Sequence, residues 1–66
     1  MLIKKYYNNG NIEIEYYILN EKREGFYKEY YSNGNLFFFC NYIDGLIYGY
    51  RYVYHPTSEF WMKYNY

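Results

Sequence analysis

The chain has 66 residues, with seven Lys or Arg against seven Asp or Glu, so it is a single small domain without the net field that draws nucleic acid, an anionic membrane or an acidic substrate. Fourteen tyrosines, five phenylalanines and one tryptophan make 30% of it aromatic, and rings that can each bury on the order of 150–250 Å² offset the thin core of so short a chain. Cys40 is the only cysteine, which excludes an internal disulfide and a thiolate zinc site and reads as a packed thiol in a reducing compartment, while no apolar run approaches the roughly 20 residues that span a bilayer, so a soluble cytoplasmic protein is expected.

In chain order, residues 3–7 form the first predicted strand and residues 12–18 the second, in which Ile12, Ile14, Tyr16 and Ile18 alternate with Glu13, Glu15 and Tyr17. Between them stands Asn9-Gly10. Both residue types tolerate positive φ, so Asn-Gly between β-rich runs predicts a tight two-residue turn. That turn would set Tyr7 opposite Ile12, Tyr6 opposite Glu13 and Lys4 opposite Glu15. Residues 19–25 follow as a loop that closes on Gly25.

The pattern then returns. Residues 26–31 and 36–43 are the third and fourth strands around a second Asn-Gly turn, Asn33-Gly34. Here Phe37 and Phe39 stand where the first unit has Glu13 and Glu15, so the fourth strand is apolar on both faces and Lys28 faces Phe39. A second loop over residues 44–49 closes on Gly49, and a fifth strand covers residues 50–54. Pro56 has no backbone donor and either ends that strand or forces a wider turn there. Thr57-Ser58 replaces the Asn-Gly pair in this last turn. Three arrangements stay open for the last residues: a sixth strand over 60–64, a segment folded over the aromatic cluster, or a short helical turn. Trp61 is the residue placed to close the last apolar face.

These matches have one period. Tyr6-Tyr7-Asn8-Asn9-Gly10-Asn11-Ile12 returns 24 residues later as Tyr30-Tyr31-Ser32-Asn33-Gly34-Asn35-Leu36, and Gly25-Phe26 returns as Gly49-Tyr50. A repeat of this length signals an array in which each unit buries its apolar face on its neighbours. About two and a half units fit: residues 1–24, residues 25–48 and a degenerate cap over 49–66. The expected fold is all-β, an antiparallel meander of stacked hairpins with five to six strands.

Gly25-Phe26-Tyr27-Lys28-Glu29-Tyr30-Tyr31-Ser32-Asn33-Gly34-Asn35-Leu36, followed by residues 42–49, resembles the variant MORN repeat. The resemblance covers nearly the whole chain and implies stacked hairpins in an elongated, twisted sheet. MORN arrays are taken as scaffolds for protein or lipid contacts, and the variant form is similar to bacterial antitoxin-like proteins. Two departures stand out: Glu21-Lys22 replaces the turn glycine, and the array is short. With few and scattered basic residues, the resemblance implies a protein scaffold rather than a membrane contact.

No catalytic constellation emerges. His55 is the only histidine, no nucleophile and base are paired by sequence, and His55 reads as a turn residue. Glu13 and Glu15, two apart on one strand face near Lys4, read as a solvated face. Asn9, Gly10, Gly25, Asn33, Gly34 and Gly49 read as turn formers, not as a phosphate loop, and no cofactor or metal is implied.

The candidate contact surface is Phe26, Tyr30, Phe37 and Phe39, with Trp61 near it or over it. A single-layer sheet cannot bury both faces by itself, and a large exposed apolar patch marks an interface. The partner is therefore expected to be another protein, or a second copy through this face or a sheet edge. The function that follows is a non-enzymatic interaction module, antitoxin-like or a small inhibitor. The alternatives are aromatic stacking of single-stranded nucleic acid or carbohydrate and a self-assembling structural repeat.

Overall fold

Runs rich in Tyr, Ile and Phe, separated by short stretches of Asn, Asp and Gly, satisfy their backbone groups by pairing each run with the next. In the computed structural model, which describes residues 1–57 and 59–65, five such pairings join six strands. The strands are β1 (Leu2–Tyr6), β2 (Ile12–Leu19), β3 (Lys22–Tyr30), β4 (Leu36–Ile43), β5 (Leu46–Tyr54) and β6 (Phe60–Asn65). They form one antiparallel sheet in sequence order, β1 to β6. The chain is thus all-β, an open meander of three hairpins. Residues 60–65 form the sixth strand, and neither a covering segment nor a helical turn. Among the described residues no helix is long and apolar enough to cross a membrane. Ser58, expected in the decayed turn, and Tyr66, the last residue of the repeat match, lie outside the described residues.

Both kinds of connection differ from the expected ones. At Asn9-Gly10 the loop holds three residues: the Gly10 N–H donates to the Tyr7 carbonyl at 3.0 Å, and the Tyr7 N–H donates to Asn11 at 2.8 Å. Only Gly10 has positive φ, at 92°. Asn33-Gly34 repeats this, with the same bonds from Gly34 to Tyr31 and from Tyr31 to Asn35. This is a β-turn followed by a left-handed glycine, the three-residue hairpin solution, rather than a two-residue turn with two positive φ angles. Tyr7 therefore lies opposite Asn11 instead of Ile12, and Tyr6 opposite Ile12 instead of Glu13.

The two-residue turns lie in the segments read as long loops. Asn20 and Glu21 have φ of 52° and 67°, and Asp44 and Gly45 have 52° and 86°. Two consecutive positive angles are the primed-turn signature that suits the twist of a hairpin. Strands β3 and β5 consequently start at Lys22 and Leu46, so Gly25 and Gly49 sit inside strands and close no loop. Their φ values of 87° and 78° mark bulges: three residues, Glu24 to Phe26, stand opposite Tyr17 alone on β2. A positive-φ glycine in a bulge re-aims the strand without steric cost.

A second bulge follows each three-residue turn and moves side chains between faces. Lys5 pairs with Ile14 while Tyr6 pairs with Ile12, which leaves Glu13 as the extra residue, and Phe37 is its counterpart in β4. The extra residue cancels the one-residue offset of the turn. Lys4 therefore still pairs with Glu15, and Lys28 with Phe39, as expected, although the turn itself differs.

The 24-residue period is the spacing of side-chain bonds from each hairpin to the next. The hydroxyl of Tyr7 donates to the Tyr30 carbonyl at 2.6 Å, and that of Tyr31 donates to Tyr54 at 2.7 Å. The amides of Asn9 and Asn11 both donate to the Ser32 carbonyl, at 2.8 and 2.9 Å. Those of Asn33 and Asn35 donate to the Pro56 carbonyl, at 2.9 and 2.6 Å. Within each turn the first Asn also accepts the backbone N–H of the second, an Asx arrangement that fixes the amide for its contact. Tyr-x-Asn-Gly-Asn is thus a stacking motif as much as a turn motif. In the third unit the backbone bond survives, from His55 N–H to the Glu59 carbonyl at 2.9 Å.

Candidate functional site

Cross-strand pairing assigns the side chains to two faces. One face carries Tyr16, Tyr27, Phe38, Cys40, Tyr42, Arg51 and Val53; the other carries Glu15, Tyr17, Phe26, Lys28, Phe39, Tyr50 and Tyr52. The molecule is only 10 Å across in its shortest dimension, so neither face is covered by a second layer.

The Tyr27 face is the structural one. Among the described residues the three buried ones, Tyr27, Cys40 and Arg51, lie on it, and Cys40 is completely buried. Tyr27 contacts Tyr16, Phe38 and Tyr42, with ring centroids 5.6 to 6.2 Å apart. The Arg23 guanidinium lies 4.8 to 5.3 Å from the ring centres of Tyr27, Tyr16 and Tyr42 and donates to the Tyr42 hydroxyl at 3.0 Å. One long side chain thereby covers three rings, as a second layer would. Burial pushes the Cys40 thiol up, so it is a packed, unreactive sulfur.

The Phe39 face is the open one. Tyr17 meets Phe26 edge to face at 5.1 Å, Phe39 meets Tyr52 at 5.9 Å, and Tyr52 lies 6.4 Å from both Tyr50 and Phe60. Lys28 Nζ bridges the break, 4.9 Å from the Phe26 ring centre and 5.9 Å from that of Phe39. Lys63 Nζ sits 4.9 Å over Tyr50. These contacts make an aromatic ribbon across β2 to β6, and none of its rings is buried: Tyr17 is 43%, Tyr50 46% and Phe60 55% exposed. At the end nearer β1 the ribbon gives way to charge, where Lys4 and Lys28 flank Glu15 and the Tyr30 hydroxyl donates to Glu15 Oε1 at 2.6 Å.

The residues expected to form one cluster are therefore divided. Phe26, Tyr30 and Phe39 share the open face, but the bulge turns Phe37 to the other, against Tyr31 at 5.0 Å and Phe38 at 6.4 Å. Strict alternation along β4, which had put Phe37 with Phe39, fails at the extra residue. Glu13 and Glu15 are separated by the same bulge and share no face. Trp61, the counterpart of Phe37, stacks on His55 at 4.6 Å and is 54% exposed, so it covers no part of the cluster. Sequence reading missed Tyr17, Tyr50, Tyr52 and Phe60. The 24-residue offset from Phe26 to Tyr50 was the signal for Tyr50, whereas Phe60 depended on whether β6 forms.

A depression of about 170 Å³ lies among Tyr7, Glu13, Ile14, Glu29, Tyr30 and Phe37. It is smaller than the roughly 300–1,000 Å³ usual for small-molecule sites. Among the described residues no three His, Cys, Asp or Glu side chains gather into a group that could hold a metal ion.

No family model, curated protein or solved structure matches the chain.

Proposed function

We propose that this protein is a non-enzymatic interaction module that binds, and by occlusion inhibits, a protein partner through the Phe39 face, in the manner of a small antitoxin. The single observation that carries this reading is the asymmetry of the sheet: among the described residues one face contains all the buried ones, and the other presents a ribbon of rings, bridged by Lys28, none of which is buried. Rigid aromatic anchors on a stiff sheet lose little side-chain entropy on docking, and a few such residues carry most of the affinity of an interface. The MORN-like pattern of the sequence supports a scaffold role of the same kind.

The test is capture of the partner from the source cell lysate with tagged protein, compared with Phe39→Glu and Phe37→Glu. Each substitution installs the residue that the first unit carries at the equivalent position, Glu15 or Glu13, so both variants should fold. Phe39→Glu is expected to abolish capture and Phe37→Glu to spare it. Loss in both, or in neither, would remove the Phe39 face as the binding surface.

A second reading rests on Lys28 and Lys63, which lie over rings of the ribbon as cations do beside stacked bases. It predicts recovery of nucleic acid and a steep fall of binding with salt.

A further inference from the structure

The bonds between hairpins have a direction, and this gives the two ends of the sheet different chemistry. Each turn donates forward: Tyr7, Asn9 and Asn11 to carbonyls of the second unit, and Tyr31, Asn33 and Asn35 to carbonyls of the third. At the β1 edge the carbonyls of Tyr6 and Asn8 occupy the positions that Tyr30 and Ser32 occupy one unit later, so this edge is built to accept. The matching donors at the other end would be residues 55, 57 and 59. They are His55, Thr57 and Glu59. A carboxylate only accepts, Thr57 is too short to replace an asparagine amide, and the His55 ring is stacked on Trp61 at 4.6 Å.

The strand register adds a second obstacle. Between units, Glu15 pairs with Lys28 and Phe39 with Tyr52. If β6 of one copy docked on β1 of another in that register, Lys63 would face Lys4. Like charges placed directly opposite destabilise a ladder, whereas the internal pairs are opposite in charge or aromatic.

We propose that the β1 edge is a docking edge for a repeat hairpin of another chain, one with an intact Tyr-x-Asn-Gly-Asn turn and a carboxylate set to face Lys4. The β5–β6 hairpin is then a cap that prevents copies of this chain from docking end to end on one another. Exposed strand edges invite unwanted pairing, and proteins blunt them with charge and with missing partners.

The experiment rebuilds the missing chemistry in the full chain as H55Y/T57N/S58G/E59N/K63E and compares it with wild type by sedimentation velocity over a dilution series. The rebuilt chain is expected to grow into open-ended polymers as concentration rises, while the wild type does not. Adding K4E to the rebuilt chain, which again opposes two like charges, is expected to reverse the growth. The proposal is overturned if the rebuilt chain, folded by circular dichroism, sediments as wild type at every concentration, or if wild type forms the same polymers. Should the five changes prevent folding, T57N/E59N/K63E decides between the same two outcomes, because all three positions are exposed.

Discussion

Gly34 has φ +94°, and a Cβ there would stand 3.6 Å from Asn11 Nδ2, the amide that bonds to Ser32. Space is adequate but the backbone angle is not. Gly34→Ala is therefore expected to destabilise the fold by about 1–2 kcal/mol, read as a lower midpoint in chemical denaturation; an unchanged midpoint would contradict the turn geometry. Tyr30 and Tyr27 make a second case at this scale. Burial, followed by its bond to Glu15, pushes the Tyr30 hydroxyl up to about 12, and burial with the bond to Glu29 raises Tyr27 as well. Both hydroxyls are held neutral in the fold, above the ordinary tyrosine value near 10. Their contribution is complete below that value and is lost as pH rises through the raised values, about 12 for Tyr30. Ultraviolet titration should show a late-ionising class of tyrosines, with melting temperature falling over the same window. Simultaneous ionisation of all tyrosines in the folded chain would refute this.

At the scale of the element, the two primed turns differ most in their second residue. Asp44-Gly45 uses a glycine at the second position, while Asn20-Glu21 holds a glutamate there at φ 67°. Asparagine tolerates the left-handed region through its local side-chain bonds, but glutamate bears the steric cost of a Cβ against the next carbonyl. Glu21→Gly is expected to stabilise the β2–β3 hairpin by about 1 kcal/mol after the entropy of the added glycine is set against the relieved strain. In a domain of this size that is a rise in melting temperature of roughly 4–8 °C. A lower melting temperature would show that Glu21 makes a compensating contact. The period-2 pattern and the breaker residues located five strands and left the sixth open, while Asn-Gly took a three-residue turn in place of the expected two-residue one and Asn20-Glu21 made a two-residue turn where a longer loop was expected. Turn type depends on how many residues the flanking strands leave unpaired, and that number is fixed by pairing with the next hairpin.

At the scale of the whole molecule, hairpins that are marginal alone are held by neighbours on either side. Asn9, Asn11, Asn33 and Asn35 each bond across to the next unit, so a residue type read as a local turn former also joins the units. The same economy governs the faces. Arg23, exposed and unremarked in the sequence, covers the rings around Tyr27, and this makes that face the more buried one and leaves the Phe39 face uncovered. The opposite outcomes expected for Phe39→Glu and Phe37→Glu belong to this scale, because only the bulge in the assembled sheet separates two residues that are two apart in sequence.

By itself the sequence determined the period, the all-β class, five of the six strands and the burial of Cys40, whereas the pairing of Lys4 with Glu15 and of Lys28 with Phe39 held because a bulge offset the longer turn. The former follow from local alternation and from residues whose backbone preferences are strong. Only the tertiary structure decided the loop lengths, the bulges at Glu13 and Phe37, the face on which each aromatic residue lies, and the pairing of β6. One unpaired residue reverses the side of a strand on which a side chain emerges, and whether a residue is left unpaired is settled by hydrogen bonds to a strand elsewhere in the chain.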